Sequence, residues 1–308
     1  SRNAVIRKAG TAAIELLEKA RETTLAENNK SHINLYVALG IKSRACLAEG
    51  DWDGAFKAAK RVIDEGGYAV GTKSDLTGGM NSLDKQNVMW GAGIQVADQA
   101  GGYAGFFTHM DNKEGAYAKS APKLISKQLY NRISATDIRR DWWDPSDKES
   151  PYVSKKFSFA NVASFLGDYI YMRVEEMYFI EAEAKAHENL GEGIRLLNEF
   201  MNNYRIVGGG YDCTNMSSSV ENFTNELMLQ KRIEFWGEGI VMFDMKRLDM
   251  STRRGYVGTN SPASYRLNTE GRAPYWNFVI SRGETQNNPV IATQNNPDPS
   301  QTVKPWNG

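Results

Sequence analysis

The sequence predicts a mainly α fold: helical hairpins form a scaffold, joined by long irregular loops with minor β. Three observations carry this. Helical periodicity runs through residues 1–66 and returns at 169–250. In both stretches a glycine interrupts the period, at Gly50 and at Gly191, and a new helix resumes at once. Between them, residues 67–168 lose the period and fill with Gly, Asn, Asp and aromatic residues. We expect one compact unit over 1–308, because hairpins on either side of the loop region must stack on each other.

The elements follow in order. Ala9, Ala12, Ala13, Leu16, Leu17 and Ala20 mark a first amphipathic helix. Ser31 is the expected N-cap of a second helix, which carries Leu35, Ala38, Leu39 and Ala45 and stops at Gly50. Asp51 then caps a third, with Ala55, Ala58, Ala59 and Val62, ending at Gly66-Gly67. The small residues at this junction resemble a tetratricopeptide unit, whose period is about 34 residues. Asn87-Val88-Met89-Trp90 reads as a short extended segment, and residues 121–133 as a short helix. A helix is expected from residue 169, with Ile170, Val174, Met177 and Tyr178 on one face, broken at Gly191 and followed by one through Leu197 and Met201. Another spans about 224–236, and residues 251–308 form an irregular tail. There Thr-Gln-Asn-Asn-Pro occurs at 285–289 and again at 293–297, which reads as turn punctuation.

Composition removes several function classes. The 308 residues hold 37 Lys+Arg and 37 Asp+Glu, so there is no basic footprint for nucleic acid. No apolar run reaches the ~18–20 residues that span a bilayer. Cys46 and Cys213 cannot make a disulfide framework, and whether they pair is open. The chain starts at Ser1 inside a helical pattern, without a signal peptide, and so reads as a processed or truncated chain.

Catalytic signatures are sparse. His32, His109 and His187 form no H-E-x-x-H pattern, and neither a nucleophile elbow nor a Walker loop occurs. Gly91-Ala92-Gly93 lacks the third glycine of a dinucleotide fingerprint. No cofactor and no metal are expected. A glycosidase needs two carboxylates. Glu175, Glu176, Glu181 and Glu183 are dense but read as a solvated or salt-bridged helix face; Glu234 and Glu238 read as ion-pair partners near Lys231 and Arg232. A pair assembled from distant segments stays open.

Aromatic residues in loops are the better lead. The 33 Phe, Tyr and Trp and the 24 Asn suit stacking on, and hydrogen bonding to, neutral ligands. Tyr103, Phe106, Phe107 and Tyr117 sit among glycines, with Asp98 and Asn112 nearby. Sugar rings present C–H faces to aromatic planes, and carboxylates or carboxamides complete the hydroxyl hydrogen bonds. We therefore take these four rings as stacking platforms, Asp98 and Asn112 as hydroxyl partners, and Trp142 and Trp143 as a second candidate pair. Packing of the rings onto the scaffold is the competing expectation, and Trp90, in an apolar run, reads as core.

The order of motifs resembles the C-terminal portion of the SusD/RagB family. Ala45-Cys46-Leu47-Ala48-Glu49-Gly50-Asp51-Trp52 is similar to its helical hairpin and Asn87-Val88-Met89-Trp90 to its wall segment. Asp137-Ile138-Arg139-Arg140 is similar to its D-x-R-R signature, and Arg173 through Glu181-Ala182-Glu183-Ala184 to its R-x-x-E helix. Lys231-Arg232-Ile233-Glu234, Glu238-Gly239, Asp244 and Arg247 resemble a further block, with Lys231 where Arg is usual; Asn288-Pro289 and Asn296-Pro297 resemble the tail. The resemblance implies a non-catalytic lipoprotein of the outer-membrane surface, anchored through an N-terminal cysteine absent from this chain. It further implies that the protein binds an oligosaccharide, or in some branches a peptide, and delivers it to a SusC-like TonB-dependent transporter. The alternatives are a helical-repeat adaptor for peptides or proteins, and a glycoside hydrolase with carboxylates distant in sequence.

Overall fold

The computed structural model describes residues 29–98, 105–296 and 303–307, and six helical residues between 11 and 19. The first expected helix lies mostly outside the described residues. The fold is mainly α with minor β, as the periodicity predicts. Contacts divide the chain into two compact units, not the single one expected: residues 1–125 with 130–234, and residues 126–129 with 235–308.

In the larger unit, α1 (Leu35–Glu49) is capped by the Asn34 carboxamide, which accepts from the Val37 N–H at 2.9 Å, not by Ser31. It ends at Gly50, whose φ is 76°. Asp51 caps α2 (Trp52–Glu65) by accepting from the Gly54 N–H at 3.0 Å. A short helix, α3 (Lys73–Thr77), closes with a capping box from Thr72 and Asp75. Strand β1 (Val88–Ala92) follows. It pairs antiparallel with β4 (Tyr169–Arg173), so the segment expected to open a helix is a strand. Ile170 and Val174 happen to fit helical spacing, but Gly91 opposite lets the strands close: a Cβ there would lie 2.2 Å from the Tyr169 carbonyl oxygen.

The loop region carries α4 (Phe106–Met110) and α5 (Ala116–Ser120). The helix expected over 121–133 shrinks to Lys127–Tyr130, because Leu124 and Ile125 pair with residues 152–153 instead. A 3-10 turn, Ile138–Trp142, leads into β2 (Trp143–Asp144), which pairs with β3 (Val153–Ser154). Helix α6 (Glu175–Glu188) then joins α7 (Leu190–Tyr204) through Asn189, which ends one and caps the other; Gly191 lies inside the second helix. Helix α8 spans Val220–Glu234, earlier than expected. One apolar core links α1, α2, both strands and α6 through Leu35, Leu39, Ala59, Val62, Met89, Met172, Met177 and Ile180.

A buried ionic cluster lies behind this core. Asp137 accepts from Arg139 Nη2 at 2.6 Å, and Arg139 also donates to Gln230 Oε1 at 2.6 Å. Glu234 accepts from Arg173 Nη1 at 2.9 Å, from Arg205 Nε at 2.8 Å and Nη2 at 2.9 Å, and from Arg139 Nη1 at 3.3 Å. Glu175 Oε1 accepts from the Gly71 N–H and from Asn87 Nδ2, each at 2.9 Å. Burial alone would raise the Glu234 carboxyl; Arg205, Arg173 and Arg139 instead hold it well below the usual carboxylate range. Asp137 and Arg139 of the D-x-R-R stretch, together with Arg173 at the end of β4 and Glu175 at the start of α6, are thus parts of one internal network.

The smaller unit holds α9 (Val241–Arg247), where Arg247 Nε donates to Asp244 at 2.8 Å. Carboxamides do much of its folding. Asn268 accepts from the Gly255 N–H at 2.8 Å and donates to its carbonyl at 2.9 Å, and Asn295 accepts from the Ile280 N–H at 2.7 Å. The second Asn-Asn of the repeated pentapeptide therefore grips a neighbouring segment as well as marking a turn.

Candidate functional site

A concavity of about 900 Å³ lies within the larger unit and is formed by the loop region. Its position is set by two neighbouring residues on the α4–α5 connection. Asp111 is buried; one carboxylate oxygen accepts from the Lys113 and Glu114 N–H groups at 2.9 and 3.0 Å, and the other from the Phe159 N–H at 3.0 Å. Asn112 accepts from the Lys123 N–H at 2.7 Å and donates to the Ser154 carbonyl at 2.8 Å. Together they fasten the helical loop to segments 123 and 154–159, which make the opposite wall.

The wall itself contains Phe157 and Phe159, both buried. Behind them Phe106 meets Phe157 edge-on at 5.1 Å, and Phe107 meets Phe159 at 5.8 Å. The rim is polar. Lys119 lies 3.7 Å from Glu114, and Lys113 and Lys155 also line the space. Asp144, Asp147 and Glu149 line it as well. The hydroxyl and backbone N–H of Ser146 hydrogen-bond Asp144 and lower its carboxyl pKa. Asp147 accepts from the Glu149 and Ser150 N–H groups at 3.0 and 2.6 Å. The chemistry available is hydrogen bonding and charge at the rim over an aromatic wall.

The residues expected from sequence meet different fates. Tyr117 is 40% exposed and stacks on His109, with ring centroids 4.7 Å apart and planes 6° from parallel. Phe107 is buried and Phe106 half-buried, so these rings serve packing behind the wall, not as open platforms. Asn112 lines the cavity, but two backbone groups already occupy its carboxamide. Trp142 and Trp143 are corrected outright: both are core residues. Trp142 is fully buried, donates from Nε1 to the Leu76 carbonyl at 2.6 Å, and lies under the Lys156 ammonium at 4.3 Å. Asp98 closes a short 3-10 turn, Val96–Asp98, and Tyr103 lies outside the described residues, so neither side chain joins the description. Trp90 is half-buried against the core, touching Tyr171 edge-on at 5.1 Å.

The carboxylates considered for catalysis are structural. Glu175, Glu176 and Glu183 are buried in ion pairs, with Arg173 and Arg205, with Arg44 (Nε to Oε1, 2.6 Å) and with Lys231 (3.6 Å) respectively. Burial raises the Glu181 carboxyl. These side chains are salt-bridged or buried, not solvated, and the partners of Glu234 are distant arginines instead of Lys231 or Arg232. Sequence reasoning missed Lys113, Lys155, Asp144, Asp147 and the 160–166 hairpin as elements of the rim. Their one signal is turn composition, Asp-Pro-Ser-Asp and Asn-Val-Ala-Ser-Phe.

Comparison with known proteins places this geometry. The SusD family model matches residues 108–301, which include the whole cavity. Among solved structures, a SusD-like carbohydrate binding protein from Bacteroides vulgatus superposes with a TM-score of 0.72 at 26% identity, covering 92% of this chain and 64% of that one. A SusD superfamily protein from Bacteroides thetaiotaomicron gives 0.67 at 21%, covering 94% and 66%. Surface glycan-binding protein A from Bacteroides uniformis gives 0.60 at 16%, covering 94% and 68%. The chain thus spans less than two thirds of the length of the Bacteroides vulgatus protein. No curated protein matches significantly. Among the described residues, no helix is long and apolar enough to cross a membrane. A family model that matches this much of the chain means that the chain belongs to the SusD family.

Proposed function

We infer that this chain belongs to a non-catalytic oligosaccharide-binding lipoprotein of the outer-membrane surface, which delivers glycan to a SusC-like TonB-dependent transporter. The observation that carries the reading is the open concavity of about 900 Å³, within the size range of ligand sites, whose rim offers amines, carboxylates and hydroxyls. It lies in the part of the chain that matches the family, and a structure with 26% identity is described as carbohydrate binding. Tyr117 adds an exposed ring on the loop that forms one side. Employment of the α6 carboxylates in ion pairs supports binding without turnover. Isothermal titration against a panel of oligosaccharides, with a reducing-end assay in parallel, tests the reading. Saturable binding without new reducing ends is expected. Release of reducing ends would favour a hydrolase, and heat of binding to none of the panel would remove the glycan reading.

A further inference from the structure

Among the described residues, four that are not glycine adopt positive φ: Met80, Tyr152, Phe165 and Asp249. Three have a local reason. Met80 is buried, Tyr152 packs edge-on against Tyr130 at 5.3 Å, and Asp249 uses its carboxylate to accept from the Arg272 N–H at 2.8 Å. Phe165 differs. It holds φ at 52°, a conformation that bulky side chains rarely adopt, and yet 40% of it is exposed. Glycine or asparagine would fill such a turn without strain.

The turn that holds it is well made. The Leu166 N–H donates to the Asn161 carbonyl at 3.0 Å, the Ala160 N–H to the Leu166 carbonyl at 2.8 Å, and the Ser164 N–H to the Asn161 carboxamide at 3.1 Å. Gly167 then lies against the Phe107 ring, where a Cβ would come within 2.5 Å of Cε2. The hairpin is therefore anchored to the layer behind the cavity wall. Its tip reaches the cavity: Val162, 44% exposed, lines the space, and Phe165 contacts the wall residue Phe159 edge-on at 5.8 Å. Strain that persists around an exposed apolar side chain beside a cavity points to ligand contact.

We propose that Phe165, with Val162 beside it, is the apolar platform of this site and stacks on the C–H face of a neutral pyranose ring while the polar rim takes the hydroxyls. This rests on the oligosaccharide-binding reading above and names the ring that the half-buried Phe106 and the buried Phe107, Trp142 and Trp143 do not supply. The test is isothermal titration of wild type, Phe165→Ala, Phe165→Leu and Phe165→Trp against maltoheptaose, cellohexaose, xylohexaose and mannohexaose, with a thermal melt of each variant. Dissociation constants should rise about tenfold for the alanine and leucine variants, the size of one aromatic contact, and stay near wild type for tryptophan. Leucine keeps apolar bulk and loses the ring, so it decides the matter if the alanine variant misfolds. Wild-type binding with the leucine variant within about twofold overturns the role of Phe165 alone. Failure of wild type to bind any of the four overturns the neutral-glycan reading, and the platform with it.

Discussion

Glutamine at position 234 would keep the shape of the buried carboxylate and remove its charge. In the native cluster three guanidiniums, of Arg139, Arg173 and Arg205, face three carboxylates, of Asp137, Glu175 and Glu234. The Lys156 ammonium also donates to the Glu234 carbonyl at 2.8 Å. In Glu234→Gln the same cations face two carboxylates in a space closed to water, and one carboxamide oxygen must serve donors that now share two. Breaking a buried pair by removing one partner costs about 3–5 kcal/mol. Against a total stability of about 5–15 kcal/mol this is a large fraction. Urea titration followed by far-UV circular dichroism measures it. The pH dependence gives a second reading. Because the folded carboxyl lies below its unfolded value, its stabilisation is fully present above the ordinary glutamate range near pH ~4.3 and is lost as pH falls below it. The gap between wild type and Glu234→Gln should therefore hold from pH 7 to 5 and narrow in stronger acid. A gap below about 1 kcal/mol at pH 7 would refute the view that Glu234 compensates the arginines.

Three further outcomes follow from the same geometry. Asn112→Ala removes the carboxamide's hydrogen bonds to backbone groups, the shortest with Lys123 and Ser154, and should cost about 1–3 kcal/mol by urea titration, with weaker glycan binding as the loop loosens. Trp142→Phe orphans the Leu76 carbonyl and should lower stability by about 1–3 kcal/mol while leaving glycan affinity unchanged; loss of affinity in a folded variant would return this residue to the site. Burial pushes the thiols of Cys46 and Cys213 up to about 11 each, and neither is in a disulfide. Both should react slowly with iodoacetamide at pH 8 by mass spectrometry, and rapid labelling of folded protein would contradict the burial.

The hairpins were legible because their signals are local. Gly50 ends one helix and Asp51 starts the next within two residues, so no distant partner is needed to read them. Tyr169–Arg173 was not legible as a strand, since its pairing partner Val88–Ala92 lies far back in the chain while Ile170 and Val174 mimic a helical face. The site shows the same division. Of the residues singled out, Asn112 lines the cavity and Tyr117 is exposed on α5. Their burial and employment were hidden, because whether a carboxamide meets ligand or backbone depends on segments 123 and 154. Adjacent tryptophans suggested a binding surface, and a buried lysine decided otherwise. Phe165 carried no signal, as only φ and the cavity mark it.

The ionic cluster also constrains the order in which the larger unit can assemble. Its members come from residues 71, 87, 137–139, 173–175, 205 and 230–234, so nearly every pairing closes a long loop. Loop closure is unfavourable until such contacts reward it, and folds rich in them form slowly. The α1–α2 hairpin can form early from its own caps. Arg139, Arg173 and Arg205 stay without their central acid until the last residue of α8 docks, so the larger unit should gain its final rigidity in one late, cooperative step. Interactions completed that late act mainly on the unfolding rate, which makes Glu234 a determinant of how long the folded protein lasts as well as of how stable it is.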